Sequence, residues 1–274
     1  MGGLYRGGPS KHHQDRLDEV YLKLLKKMFG RVPRPYDFTK EVRYLEALGR
    51  VFPNTSLQRS GLKPSILIRP YKVLHNRIRK NASSSSMVLW NQILTGRSES
   101  VRQSDYNMTL ITDLSFPELP ELHDYRRLVI PRDPYTRVLS AFLDKVKRDH
   151  VQELLGGIDP TPEGFSKFLG WVKDGGLNAN PHWDLQIHET LFPVAFYTDV
   201  VRFEEYRHAF PEFLENVGVP RDLLAKEGSE RGQSHATGAD DKLSYFYDQR
   251  RLDLVADIYE IDFETFGYSR DRPF

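Results

Sequence analysis

Two kinds of hydrophobic spacing organise the chain. Apolar residues recur at helical spacing at Leu17, Val20, Tyr21, Leu24, Leu25 and Met28 with Lys and Arg between them, which predicts an amphipathic helix over 15–29. A second helix is expected from Thr39, a good N-cap, to Leu48, stopped at Gly49, with RVPRPYDF between the two. From Val73 to Ile78 the sequence VLHNRI alternates apolar and polar positions, as in a short strand, and Met87 to Leu94 returns to helical spacing. NMTLITDL is another strand candidate, SFPELPELHDY a broken helix or loop, and RLVI a third strand ended by Pro131. Asp133 then offers an N-cap and Pro134 suits the first helical position, so a helix should run to about His150.

Strand, turn, helix, repeated, is the pattern of a parallel sheet covered by helices, whose ligands bind at the carboxyl ends of the strands. Beyond it, Thr161 and Pro162 open a helix to about Val172, KDGGLNANPHWD is an irregular loop, and VAFYTDVVRF is strand-like. Late helices are expected near 204–217 and 242–257, and KEGSERGQSHATGADD is expected to be a mobile loop. We read an N-terminal helical extension over 1–62 and one α/β domain over 63–274, with no internal repeat.

Composition narrows the chemistry. With 39 Lys and Arg against 38 Asp and Glu, no global field draws nucleic acid or membrane, so an anion site must be locally built. The absence of cysteine removes disulfides, thiolate metal sites and a cysteine nucleophile. No apolar run approaches the roughly 18 residues of a membrane span and no export signal is evident, so the expectation is a cytoplasmic location, with no role for the glycosylation-type triplets at Asn54, Asn81 and Asn107.

The chemistry gathers at two turns. In RKNASSSSM, Lys80 and the small residues Ala82, Ser83, Ser84 and Ser85 stand between a strand and a helix. There the unpaired N–H groups and roughly half a positive charge of the helix dipole favour an anion. A serine-rich linker is the plain alternative for that run. It is no Walker A loop, since the lysine precedes the small residues. In PRDPYTRVLSAF, Arg132 lies at a strand end and Ser140 two turns into the next helix, a second phosphate-type pairing. Two anion sites on neighbouring strands imply a ligand with two phosphate-like ends.

These residues resemble the sulfotransferases that use 3′-phosphoadenosine 5′-phosphosulfate (PAPS), specifically the carbohydrate branch. Lys80-Asn81-Ala82-Ser83-Ser84-Ser85 is similar to that family's 5′-phosphosulfate loop, and Arg132-Asp133-Pro134-x-x-Arg137-x-x-Ser140-Ala141 to its 3′-phosphate motif. Asn180-Pro-His-Trp-x-x-Gln186, VVRFEEY and the segment from Tyr259 to Tyr268 are also family-like, so the likeness covers about Val73 to Tyr268. Arg79 departs from the pattern by replacing a proline, and the cysteines common in secretory members are missing, which fits a cytoplasmic enzyme.

The resemblance implies a P-loop-like α/β fold with a central parallel sheet, and transfer of sulfonate to a hydroxyl of a carbohydrate or glycan-like acceptor by in-line displacement. PAPS would be the co-substrate and adenosine 3′,5′-bisphosphate (PAP) the product. It assigns Lys80 to the bridging and 5′-phosphate oxygens, Arg79, Asn81, Ala82, Ser83, Ser84 and Ser85 to the same donor loop, and Arg132 and Ser140 to the 3′-phosphate. Arg137 either contacts the nucleotide or braces its own helix. His182, in the loop NPHWDLQ beside Trp183, is the choice for general base, with Trp183 able to stack on a sugar. A backbone-satisfied structural histidine is the competing reading, and His75, His123, Asp113 and Glu204 are alternatives. No metal is expected, because His182 and His188 lack the spacing of a metal pair. Two other functions remain open: a kinase-like phosphotransferase, weakened by the missing Walker lysine, and a non-catalytic nucleotide-binding protein of the same fold.

Overall fold

The computed structural model describes residues 38–224 and 238–271 of the 274. The helix expected at 15–29 and most of the loop expected at 226–241, including His235, lie outside the described residues. The chain divides into two compact units at Glu41/Val42, and the larger one holds the whole described fold except the first turn of its opening helix.

Helix α1 (Phe38–Val51) leads into strand β1 (Ser65–Ile68) and, through a tight turn, strand β2 (Val73–Asn76). Then come α2 (Ser83–Thr95), α3 (Val101–Asn107), β3 (Thr109–Leu110) and, after a 3-10 stretch, β4 (Arg126–Val129). Helices α4 (Pro134–Lys145), α5 (Asp149–Leu155) and α6 (Pro162–Trp171) follow, then short strand β5 (Asp199–Val200) and α7 (Tyr206–Asn216). The described chain closes with short helices α8 (Arg221–Leu224) and α9 (Leu243–Phe246), α10 (Gln249–Ile258) and α11 (Glu260–Phe266).

The five strands form one sheet in the order β3-β1-β2-β4-β5. Its centre matches the expected parallel arrangement, with β2, β4 and β5 parallel, but β1 is antiparallel to both β2 and β3. The sheet is therefore mixed rather than wholly parallel. A four-residue turn region is enough to reverse the chain between β1 and β2, where a parallel crossover needs a dozen residues or more.

The period-2 alternation sorts side chains to two faces. Leu67, Leu74 and Val129 pack with Tyr44, Leu48 and Val51 of α1. Ile66, Ile68, Val73 and Leu128 pack with Met87, Trp90 and Ile93 of α2 and with Phe210 and Phe213 of α7. A third cluster joins α4, α6, α10 and α11 around Phe142, Phe165, Phe168 and Phe263. Because both faces are covered, β1 and β2 are buried at every position, as central strands of α/β sheets are. His75 shares that fate: it is 1% exposed, accepts a hydrogen bond from Trp90 Nε1, and burial pushes it down to about 3.

Candidate active site

Strands β2 and β4 are parallel neighbours, with Asn76 opposite Val129, so the turns that leave their carboxyl ends emerge side by side. The first turn is bent by two non-glycine residues in the left-handed region, Lys80 (φ 71°) and Ala82 (φ 55°). Each costs on the order of 1 kcal/mol and persists only where the surroundings impose it, a condition met mostly at ligand sites. Ala82 is the N-cap of α2 and its carbonyl accepts from Ser86 N at 2.8 Å. The helix thus begins four residues earlier than the apolar spacing predicted. Ser83, Ser84 and Ser85 are its first three residues, whose N–H groups no intrahelical carbonyl can reach. Ser83 and Ser84 are half-buried and Ser85 is exposed.

The second turn reproduces the expected capping. Asp133 Oδ1 accepts from Thr136 N at 3.1 Å, with Pro134 opening α4. Burial pushes the Asp133 carboxyl up to about 6. Glu204, an alternative base, is engaged in holding this turn: its two oxygens accept from Asp133 N (2.9 Å) and from the Tyr268 hydroxyl (2.9 Å).

The turns are bonded to each other. Arg132 Nη1 donates to the Lys80 carbonyl at 3.1 Å, and the side-chain amide of Gln186 sits between them. Its Oε1 accepts from Asn81 Nδ2 (2.6 Å) and Arg132 N (2.9 Å), while its Nε2 donates to the Arg132 carbonyl (2.8 Å). Asp262 of α11 in turn accepts from the backbone N–H of Gln186 (2.7 Å) and Ile187 (3.1 Å). Arg132 is 4% exposed, lies over the Phe203 ring at 4.0 Å, donates through Nε to Thr136, and directs Nη2 at Asp240 (3.1 Å), a side chain 62% exposed. Ser140 is buried on α4, two turns beyond Arg132. Asn81 is buried and also donates to the Ile130 carbonyl (2.9 Å), while its Oδ1 meets no donor among the described residues.

Lys80 directs its ammonium to Asp144 Oδ2 at 3.0 Å, and Lys145 reaches the same oxygen at 3.0 Å. Burial lowers both lysines, and burial alone would raise Asp144, but its hydrogen bonds to and the charges of Lys145 and Lys80 outweigh this and hold the carboxyl well below its usual range. Arg79 does not stand over the serine turn: it pairs with the buried Glu189 at 2.5 Å. Arg137, 1% exposed, braces the site and not its own helix, donating to the carbonyls of Arg79 (3.1 Å), Asp184 (2.6 Å) and Pro181 (3.3 Å) and to Glu189 (3.2 Å).

His182 stands at the rim of this cation group. Burial, then the charges of Lys145, Arg79 and Lys80, push it down to about 2, so the ring is neutral. Its Nδ1 lies 2.7 Å from Asn180 Oδ1, which fixes that nitrogen as the N–H and leaves Nε2 to act as acceptor. Trp183, expected to stack on a sugar, is instead fully buried, donates to the Gly176 carbonyl and packs on Phe168 and Trp171. Asp113 caps the N–H of Leu110, and His123 packs edge-on against Phe52. Sequence reading missed Asp144, Lys145, Glu189 and Asp262 as parts of the site. Only Asp144 and Lys145 carried a local signal, lying one turn past Ser140 on α4.

A model of the sulfotransferase family matches residues 64–269, which span both turns, the sheet and α11. The chain belongs to the sulfotransferase family. It is also similar to human carbohydrate sulfotransferase 9, 25% identical over 173 residues, an alignment covering 54% of this chain and 38% of that protein. The chain thus spans under two fifths of the length of the curated relative it matches. No solved structure matches it. The described residues hold no group of three or more His, Asp or Glu side chains placed to bind a metal ion, and no described helix is long and apolar enough to cross a membrane.

Proposed function

We propose that the chain transfers the sulfonate group of PAPS to a hydroxyl of a carbohydrate acceptor. The observation that carries this reading is the direct bond from Arg132 to the Lys80 carbonyl, which joins the two turns expected to take the anionic ends. The residues suit a molecule charged at both ends. One end offers the N–H groups of the first turn of α2, the serine hydroxyls and Lys80. The other offers the guanidinium of Arg132, with Ser140 two turns farther along on α4. The family match and the likeness to a carbohydrate sulfotransferase support the donor and the acceptor class.

In the proposed reaction the acceptor oxygen attacks sulfur, the new O–S bond forms as the bond from sulfur to the bridging oxygen breaks, and PAP leaves. Lys80 would neutralise the charge that builds on the bridging oxygen, and His182 Nε2 would take the hydroxyl proton. In the free protein burial, and after it the surrounding cations, hold His182 neutral and weakly basic. A bound donor bringing negative charge to Lys80 would offset the part due to the cations and raise the basicity of the ring by that much.

Calorimetry tests the nucleotide: PAP should bind with EDTA present and more tightly than ATP. Arg132→Ala should weaken PAP far more than adenosine 5′-phosphate, and equal losses would remove Arg132 from the 3′-phosphate. Transfer of radiolabelled sulfonate from PAPS to a panel of sugars tests the reaction, and a panel with no product would refute it.

A further inference from the structure

The two turns are tied to each other by a side chain that belongs to neither. Gln186 opens the 3-10 turn Gln186–Glu189, is 0% exposed, and pairs with both backbone groups of Arg132: Oε1 accepts from the N–H at 2.9 Å and Nε2 donates to the carbonyl at 2.8 Å. A backbone N–H only donates and a carbonyl only accepts, so this pairing fixes which way the amide faces. The same Oε1 then takes Asn81 Nδ2 at 2.6 Å. A carboxylate in that place would lack the donor, and an aliphatic chain would lack donor and acceptor both.

Asn81 stands between Lys80 and Ala82, the two residues of this turn in the left-handed region, and shares its Nδ2 between Gln186 and the Ile130 carbonyl. Arg132 Nη1 closes the circuit at the Lys80 carbonyl. The strained turn is thus tied through its middle residue and through the carbonyl before it, and both ties lead to Arg132. Gln186 is not free to follow either turn. Asp262, fully buried on α11, accepts from the N–H groups of Gln186 at 2.7 Å and Ile187 at 3.1 Å, and the Tyr259 hydroxyl donates to the Trp183 carbonyl at 2.6 Å. The amide is anchored from the C-terminal helices, outside the two turns it joins.

We infer that Gln186, anchored by Asp262, is a positioning residue that fixes the spacing between the two turns and thereby makes the site select a nucleotide phosphorylated at both ends over one phosphorylated at either. This rests on the donor reading above. Either turn alone can settle around a single phosphate. A ligand that engages both gains from its second contact only where the turns already stand at its own span, because that contact is then intramolecular. Gln186 acts through the backbone of Arg132 and the side chain of Asn81, and not through a ligand contact of its own.

The test is calorimetry on the full chain with three probes: PAP, adenosine 5′-phosphate and adenosine 3′-phosphate. Wild type should bind PAP roughly tenfold or more tighter than the better of the two monophosphates. Gln186→Met, close in volume and equally uncharged, should weaken PAP roughly tenfold while each monophosphate changes by less than about threefold. A role confined to stability would lower all three alike. If Gln186→Met fails to melt cooperatively, Asp262→Asn, which keeps the shape of the anchor, decides the same comparison. It removes a negative charge, which by itself would favour the more highly charged PAP, so a selective loss of PAP there reports spacing. An unchanged PAP advantage in the folded variant, or equal losses for all three probes, would overturn the role of Gln186 and leave the donor reading standing. Wild type binding PAP no tighter than the monophosphates would overturn the donor reading and the role of Gln186 with it.

Discussion

Replacing Arg137 by methionine keeps most of the volume of a fully buried side chain while deleting its charge. Three carbonyls, those of Arg79, Pro181 and Asp184, and one oxygen of Glu189 lose a donor together. Breaking a buried ion pair by removing one partner costs about 3–5 kcal/mol, and each orphaned carbonyl adds to this without strict additivity. Arg79, 2.5 Å from Glu189, keeps that carboxylate partly compensated, which argues for the lower end, about 3–4 kcal/mol. For a chain of this size each kcal/mol moves the melting temperature by about 2–4 °C, so Arg137→Met should melt roughly 10 °C below wild type. Thermal melts followed by circular dichroism, with urea midpoints as a check, measure it. The same substitution in a Glu189→Gln background should cost distinctly less, because the carboxylate that needed compensation has gone. A loss of less than about 1 kcal/mol, or full additivity with Glu189→Gln, would show that Arg137 is not the brace described.

Other outcomes are expected. Asp240→Ala frees Arg132 Nη2 of an exposed partner and should tighten PAP about two- to fivefold while leaving adenosine 5′-phosphate unchanged; weaker PAP binding would show that Asp240 does not compete with the 3′-phosphate. His182→Ala should abolish turnover with PAP affinity nearly intact, and an active variant would move the base elsewhere. His75, held near 3 in the fold against about 6.5 when unfolded, favours folding fully above pH 6.5 and loses that contribution as pH falls toward 3. It should account for about 2–3 kcal/mol of the stability lost between pH 7 and pH 4.5. His75→Gln should flatten urea midpoints over that window, and an unchanged slope would refute the assignment.

What could be read from the chain was local. The caps at Asp133 and Thr161 come from neighbouring residues, and the structure has them where the spacing put them, whereas β2 ends at Asn76, two residues short of the expected Ile78, and β4 at Val129, one short of Ile130. The serine run reads as an anion turn, yet apolar spacing starts its helix only at Met87, because serine carries no apolar periodicity and only the left-handed Ala82 marks the true beginning. The antiparallel β1 is hard to see because SILI is too short and too uniformly apolar to alternate. The braces are invisible for another reason. Arg137 meets Glu189 across 52 positions and Asp262 meets Gln186 across 76, and no local pattern reports such pairings. Trp183 misleads because its loop is polar; the indole turns inward once the Gly176 carbonyl satisfies its N–H.

The Gln186 amide spends its oxygen on both turns and its nitrogen on one, with no exposure to water. The serine cassette is therefore not a detachable part. Grafting 79–86 from a relative whose side chain at position 81 differs would strand that amide and loosen the arginine opposite. Evolution or engineering that retunes one of the two turns must carry the other along.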